Sequence, residues 1–119
     1  MTQEDKELLL KDLCARLPYG VIIQIKDWTV LDAELKLGHI NRLQINDVEL
    51  KPYLFPMSSM TEEQKVIYGD LCYSIIQSLA KNMQSELNEL INWLNAHHFD
   101  YHNLINKNLA IDCTNLNIY

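Results

Sequence analysis

The sequence predicts a single α+β domain spanning residues 1–119. Three observations carry that expectation. Apolar residues recur at helical spacing near the N-terminus, at period two between residues 20 and 51, and at helical spacing again from residue 61. The chain has 119 residues, the length of one domain, and can bury a core without help from a metal or a disulfide.

The first helix starts at Thr2, a good N-cap, with Glu4 and Asp5 near the positive helix end. Leu9, Leu10, Leu13, Cys14 and Leu17 form its apolar face, while Lys6, Lys11, Asp12 and Arg16 fall largely elsewhere. Pro18 ends the helix, because it lacks an N–H and biases Leu17 away from helical angles, and Gly20 turns the chain.

Residues 20–51 read as a small antiparallel meander of three to four strands. Val21, Ile23 and Ile25 share one face of a first strand. Leu31, Ala33, Leu35 and Leu37 alternate with Asp32, Glu34 and Lys36 in a second. Leu43 and Ile45 alternate with Arg42 and Gln44 in a third, and residues 48–50 can add a short fourth. The pairs at 26–27, 38–39 and 46–47 have the length of hairpin turns. The pattern leaves open whether this sheet closes into an SH3-like barrel or stays open against helices.

Residues 51–60, punctuated by Pro52 and Pro56, read as a connector. Thr61 and Gln64 then make a capping box, with Glu62 and Glu63 in the first turn. Ile67, Leu71, Ile75, Leu79 and Met83 continue on one face, and Leu87, Leu90, Ile91 and Leu94 extend the stripe. Gly69 weakens this helix slightly. Residues 61–96 are either one long helix or two shorter ones, with Ser85 as the cap of the second.

Charge narrows the function. Residues 1–60 carry 9 acids against 7 bases and residues 61–119 carry 7 against 3, which makes the chain acidic in both halves. Nucleic-acid affinity rests on lysine and arginine neutralising phosphates, so direct nucleic-acid binding is disfavoured, as is an anionic membrane surface. No apolar run approaches the ~20 residues that cross a bilayer, and the polar, acidic N-terminus does not resemble a signal peptide, so a cytoplasmic location is expected. Cys14, Cys72 and Cys113 form no C-x-x-C pair, and Cys14 and Cys72, in apolar company, read as small buried hydrophobes.

Three of the four histidines crowd into residues 97–102 with Asp100. His97, His98, Asp100 and His102 are the candidate metal ligands. A helix would align His98 and His102, giving two ligands. An extended chain would align His98, Asp100 and His102, giving three. Zinc requires three or four, and the glutamate of an H-E-x-x-H motif is missing. The preferred reading is structural: histidines at a helix C-terminus, bonding its free carbonyls, followed by Asp100 capping a short turn whose Leu104 and Ile105 return to the core. No cofactor is implied. No nucleophile elbow, Walker loop or dinucleotide fingerprint occurs.

Tyr53, Leu54 and Phe55, held between prolines, are the best candidates for an exposed aromatic anchor, and Phe99 and Tyr101 join them as candidate partner-binding residues. Packing of residues 53–55 as core is the competing reading.

The stretches 8–21, 50–65 and 93–112 together resemble a group of small uncharacterised proteins from Bacteroides-type gut bacteria and their phages and mobile elements. The resemblance implies no activity. It implies a phage or mobile-element origin, and it implies that His102 is no essential ligand, since the group carries Arg-Gly in place of His102-Asn103.

The sequence therefore predicts a non-enzymatic cytoplasmic accessory protein whose partner is another protein. The alternative is a metal-dependent hydrolase or metal-binding protein centred on His97–His102. A third reading is a homodimer, since open sheet edges and wide helix stripes can pair.

Overall fold

The computed structural model describes residues 1–77 and 83–119. The first helix, α1, spans Gln3–Arg16. Thr2 caps it reciprocally: the Asp5 N–H donates to Thr2 Oγ1 at 3.0 Å, and the Thr2 N–H reaches the Asp5 carboxylate at 3.4 Å. Pro18 sits in a 3-10 turn, Leu17–Tyr19, and Gly20 takes φ +69°, a left-handed angle at which glycine pays little.

Strands β1 (Ile22–Lys26) and β2 (Val30–Glu34) form the predicted antiparallel hairpin, with Ile25 opposite Leu31 and Ile23 opposite Ala33. The third strand does not lie at 42–45. Residues Leu37–Gln44 are instead a helix, α2, that buries Ile40 and Leu43 at i, i+3 spacing. The expected turn at Gly38-His39 is its first turn, where the Lys36 N–H donates to His39 Nδ1 at 2.9 Å. Leu43 and Ile45 alternate in sequence but do not share a fate: Leu43 is buried and Ile45 is exposed.

The third antiparallel strand is β3, Glu49–Pro56. It takes in residues 49–50 of the expected short strand at 48–50 and most of the expected connector. Its N-terminal half pairs with β1. It also pairs with two short parallel strands: β5 (Ile111–Asp112) against Tyr53 and Leu54, and β4 (Phe99–Asp100) against Phe55 and Pro56. Both join beyond Pro52, so the proline interrupts neither parallel ladder. The sheet is mixed and open, in the order β2-β1-β3-β4, rather than a closed barrel. The domain is α+β, as its periodicities predict.

After β3, the Thr61–Gln64 capping box opens α3, Glu62–Gln77. The Gln64 N–H donates to Thr61 Oγ1 at 3.1 Å, and the Thr61 N–H donates to Gln64 Oε1 at 2.9 Å. Helix α4 spans Met83–Ala96, with Ser85 inside it rather than at its cap. The rings of Tyr68 and Trp93 lie 6.5 Å apart, so α3 and α4 are two helices folded against each other. Leu79 and the junction between the helices lie outside the described residues.

Two apolar clusters form the core. The larger joins α1, α2 and the sheet through Leu9, Leu13, Ile23, Leu43, Leu50 and Leu54. The smaller gathers Met60, Leu90, Leu94 and Phe99 beneath the helix pair. The molecule is elongated, about 50 × 30 × 23 Å. Among the described residues, no helix is long and apolar enough to cross a membrane.

Candidate functional site

The histidine stretch lies where α4 ends and β4 begins. His97 Nδ1 lies 2.9 Å from the Trp93 carbonyl oxygen, a bond in which the ring N–H donates to a carbonyl of the last helical turn that also accepts the His97 backbone N–H at 3.1 Å. His98 reverses the chain with φ +61°, in the position usually taken by glycine. Its ring stacks on Tyr119 with centroids 3.7 Å apart. Burial, together with the positive charge of Arg16 and the neighbouring His97, lowers the His98 pKa to about 4, so the ring is neutral near pH 7. Asp100 accepts hydrogen bonds from the Leu104 and Ile105 N–H groups, at 2.8 and 2.9 Å, and so caps the following turn. Leu104 is buried and Ile105 is partly buried, as the helix-end reading expects.

His102 turns to a different partner. Its Nδ1 lies 2.7 Å from Asp12 Oδ2, and a carboxylate can only accept, so Nδ1 carries the proton. Asp12 and Arg16 sit on α1 one turn apart, both fully buried, with Arg16 Nε donating to Asp12 Oδ1 at 2.6 Å. Arg16 Nη2 also donates to the Phe99 carbonyl at 2.7 Å, and the guanidinium lies 4.9 Å from the centre of the Tyr101 ring. Burial pushes the Asp12 pKa up. The hydrogen bonds from His102 and Arg16 and the charge of Arg16 outweigh it, so the carboxyl lies below its ordinary value. Arg16 Nη1 and His98 Nδ1 are buried and lack a hydrogen-bond partner among the described residues.

This buried ion pair corrects the reading that placed Asp12 and Arg16 largely off the apolar face. Leu9, Asp12, Leu13 and Arg16 are spaced i, i+3, i+4, i+7 and make one inward face. The signal was present in the spacing and was hidden by the charges. The expected burial of Cys14 also fails, since it is exposed; Cys72 is partly buried and Cys113 is buried.

The metal candidates do not converge. His97 faces a helix carbonyl, His98 a tyrosine ring, Asp100 two backbone N–H groups and His102 the Asp12 carboxylate. Among the described residues, no three His, Cys, Asp or Glu side chains are grouped as metal ligands.

Nor do residues 53–55 form an exposed anchor. Tyr53 and Leu54 are buried in the middle of β3, and Phe55 is partly buried. Phe99 is buried and Tyr101 is partly buried. The prolines suggested a loop, but the apolar run between them is a central strand. Tyr53 donates its hydroxyl to Asp32 at 2.7 Å. Tyr119 locks the same region: its hydroxyl donates to the Tyr53 carbonyl at 2.8 Å and accepts from the Ile22 N–H at 2.9 Å.

A cleft of about 600 Å³ lies between the start of α1 and the ends of β1 and β3. Leu9, Leu43 and Leu50 contribute to its lining, and Lys26, Lys51 and Lys107 face Asp5, Asp47 and Glu49 around it. The charges balance, so the cleft selects neither anion nor cation.

Apolar exposure is concentrated elsewhere. Trp28 stands at the tip of the β1–β2 hairpin, 93% exposed, beside Val30 and Leu31 on the edge strand. Helix α3 has no buried residue. Its inner side, with Tyr68, Leu71, Cys72 and Ile75, is half covered by the smaller core. Its outer side presents Val66, Tyr73 and Ile76, exposed by 63%, 62% and 68%. Periodicity identified the inner stripe through Leu71 and Ile75, and the second stripe on the same helix was missed.

In comparisons with protein families, curated proteins and solved structures, nothing matches the chain.

Proposed function

We propose that the chain is a non-enzymatic protein-interaction factor whose binding surface is the outer face of α3. One observation carries the reading: a 16-residue helix that leaves Val66, Tyr73 and Ile76 in water on the face turned away from the core. A surface helix ordinarily keeps one apolar stripe and turns it inward, and contiguous apolar exposure marks interaction sites. The acidic balance of the chain supports a protein partner over a nucleic acid. On the sequence resemblance, we place the protein among cytoplasmic accessory factors of phages or mobile elements.

The test compares partner capture by the wild-type chain and by Tyr73→Glu from host extract. A protein retained by the first and lost by the second supports the reading; identical capture, with a solution mass that Tyr73→Glu also leaves unchanged, removes it. The metal-dependent alternative has less support, since its four candidate side chains each face a different partner. Near-stoichiometric metal in the purified protein, lost on His98→Ala, would restore it.

A further inference from the structure

We propose that a second copy of this chain occupies the outer face of α3, the two helices lying antiparallel about Leu71. The proposal rests on the interaction reading above and names its partner.

The exposed stripe is Val66, Gly69, Tyr73 and Ile76, with steps of three, four and three residues. Such spacing forms the seam of packed helices, and this one reads the same in both directions. In an antiparallel pair, Val66 faces the partner's Ile76 and Gly69 faces the partner's Tyr73. A parallel pair would set glycine on glycine and tyrosine on tyrosine, leaving a gap beside a clash.

Gly69 itself points to an outside occupant. Glycine disfavours a helix interior, second only to proline. Here the backbone has no positive φ, and a Cβ added at Gly69 would meet nothing within 4 Å. The chain's own packing does not require glycine at that position. The side chain of a facing tyrosine does.

Antiparallel pairing also opposes the helix dipoles and closes a two-fold interface.

The test uses the full chain with Cys14→Ser and Cys72→Ser, bearing either Val66→Cys or Ile76→Cys, with circular dichroism confirming the fold. The two proteins are mixed and oxidised, and the sedimentation mass of the wild type is measured in parallel. The expected result is a disulfide between the two different chains in clear excess over either self-pair. The wild type should sediment as a dimer, and Tyr73→Glu should weaken it at least about tenfold, a loss ordinary for an aromatic anchor. Preferred cross-linking of the Val66→Cys chain to itself, or a monomer with no cross-link, overturns the proposal. If the chain is monomeric but Tyr73→Glu still abolishes capture of a host protein, self-pairing falls and the interaction reading stands. If Tyr73→Glu changes neither, both fall.

Discussion

Asp12 and Arg16 are the residues on which the inner fold turns. A buried arginine is tolerable when its hydrogen bonds are met, and here the Asp12 carboxylate and the Phe99 carbonyl meet most of them. Asp12→Ala removes one partner and leaves the cation, so unfolding in urea should show a loss of roughly 3–5 kcal/mol. Acid should act through His98 first. Its folded pKa of about 4 lies below the ordinary 6.5, so the unfolded chain binds the extra proton in that window and stability rises with pH. The contribution is neutral above pH 6.5 and grows unfavourable down to pH 4. Asp12 acts in a separate window: its pKa is held below 3.8, so its stabilisation is present above that value and lost on further acidification. Stability measured between pH 7 and 4 should therefore slope downward in the wild type and less steeply in His98→Asn, a residue that accepts the left-handed backbone without titrating; the lowered pKa of His39, set by burial and by the charges of Arg42 and Lys36, keeps part of the slope. At this scale the sequence was legible where partners are local. Thr2 with Asp5, Thr61 with Gln64, and Asp100 with Leu104 and Ile105 all lie within five positions. The contacts of Asp12 with His102 and of His98 with Tyr119 span most of the chain or bridge its end, and no local pattern announces them.

Among the elements, α3 holds the clearest conflict between local preference and sequence. Gly69→Ala should stabilise the helix by about 1 kcal/mol, read as a higher midpoint in thermal unfolding. The same change should weaken self-pairing, because a methyl group then meets the partner's Tyr73. A glycine that were merely incidental would show the first effect without the second. Thr61→Ala, by contrast, should cost about 1 kcal/mol through loss of the cap bond to the Gln64 N–H. The helices and the β1–β2 hairpin were readable because their periods are long and clean. Helix α2 and strand β3 were not. Eight residues hold barely two turns, so Leu43 and Ile45 could pass for a strand. Pro52 and Pro56 made the central strand resemble a connector, since the two parallel strands that accommodate it arrive from residues 99–112.

For the molecule as a whole, a two-layer core holds the sheet against α1 and α2, and a second cluster anchors the α3–α4 pair. That division places the buried Asp12–Arg16 pair inside the domain and leaves the outer face of α3 in water. Periodicity made the α+β class readable and composition the acidic balance, but neither could separate the inner stripe of α3 from the outer one, because both are apolar and only the packing distinguishes them. The most direct measurement is the solution mass of the wild-type chain and of Tyr73→Glu across a concentration series by analytical ultracentrifugation. The α3 account predicts a concentration-dependent dimer for the wild type and a monomer for the variant over the same range. A wild type that stays monomeric throughout, or a dimer that Tyr73→Glu leaves intact, would contradict it.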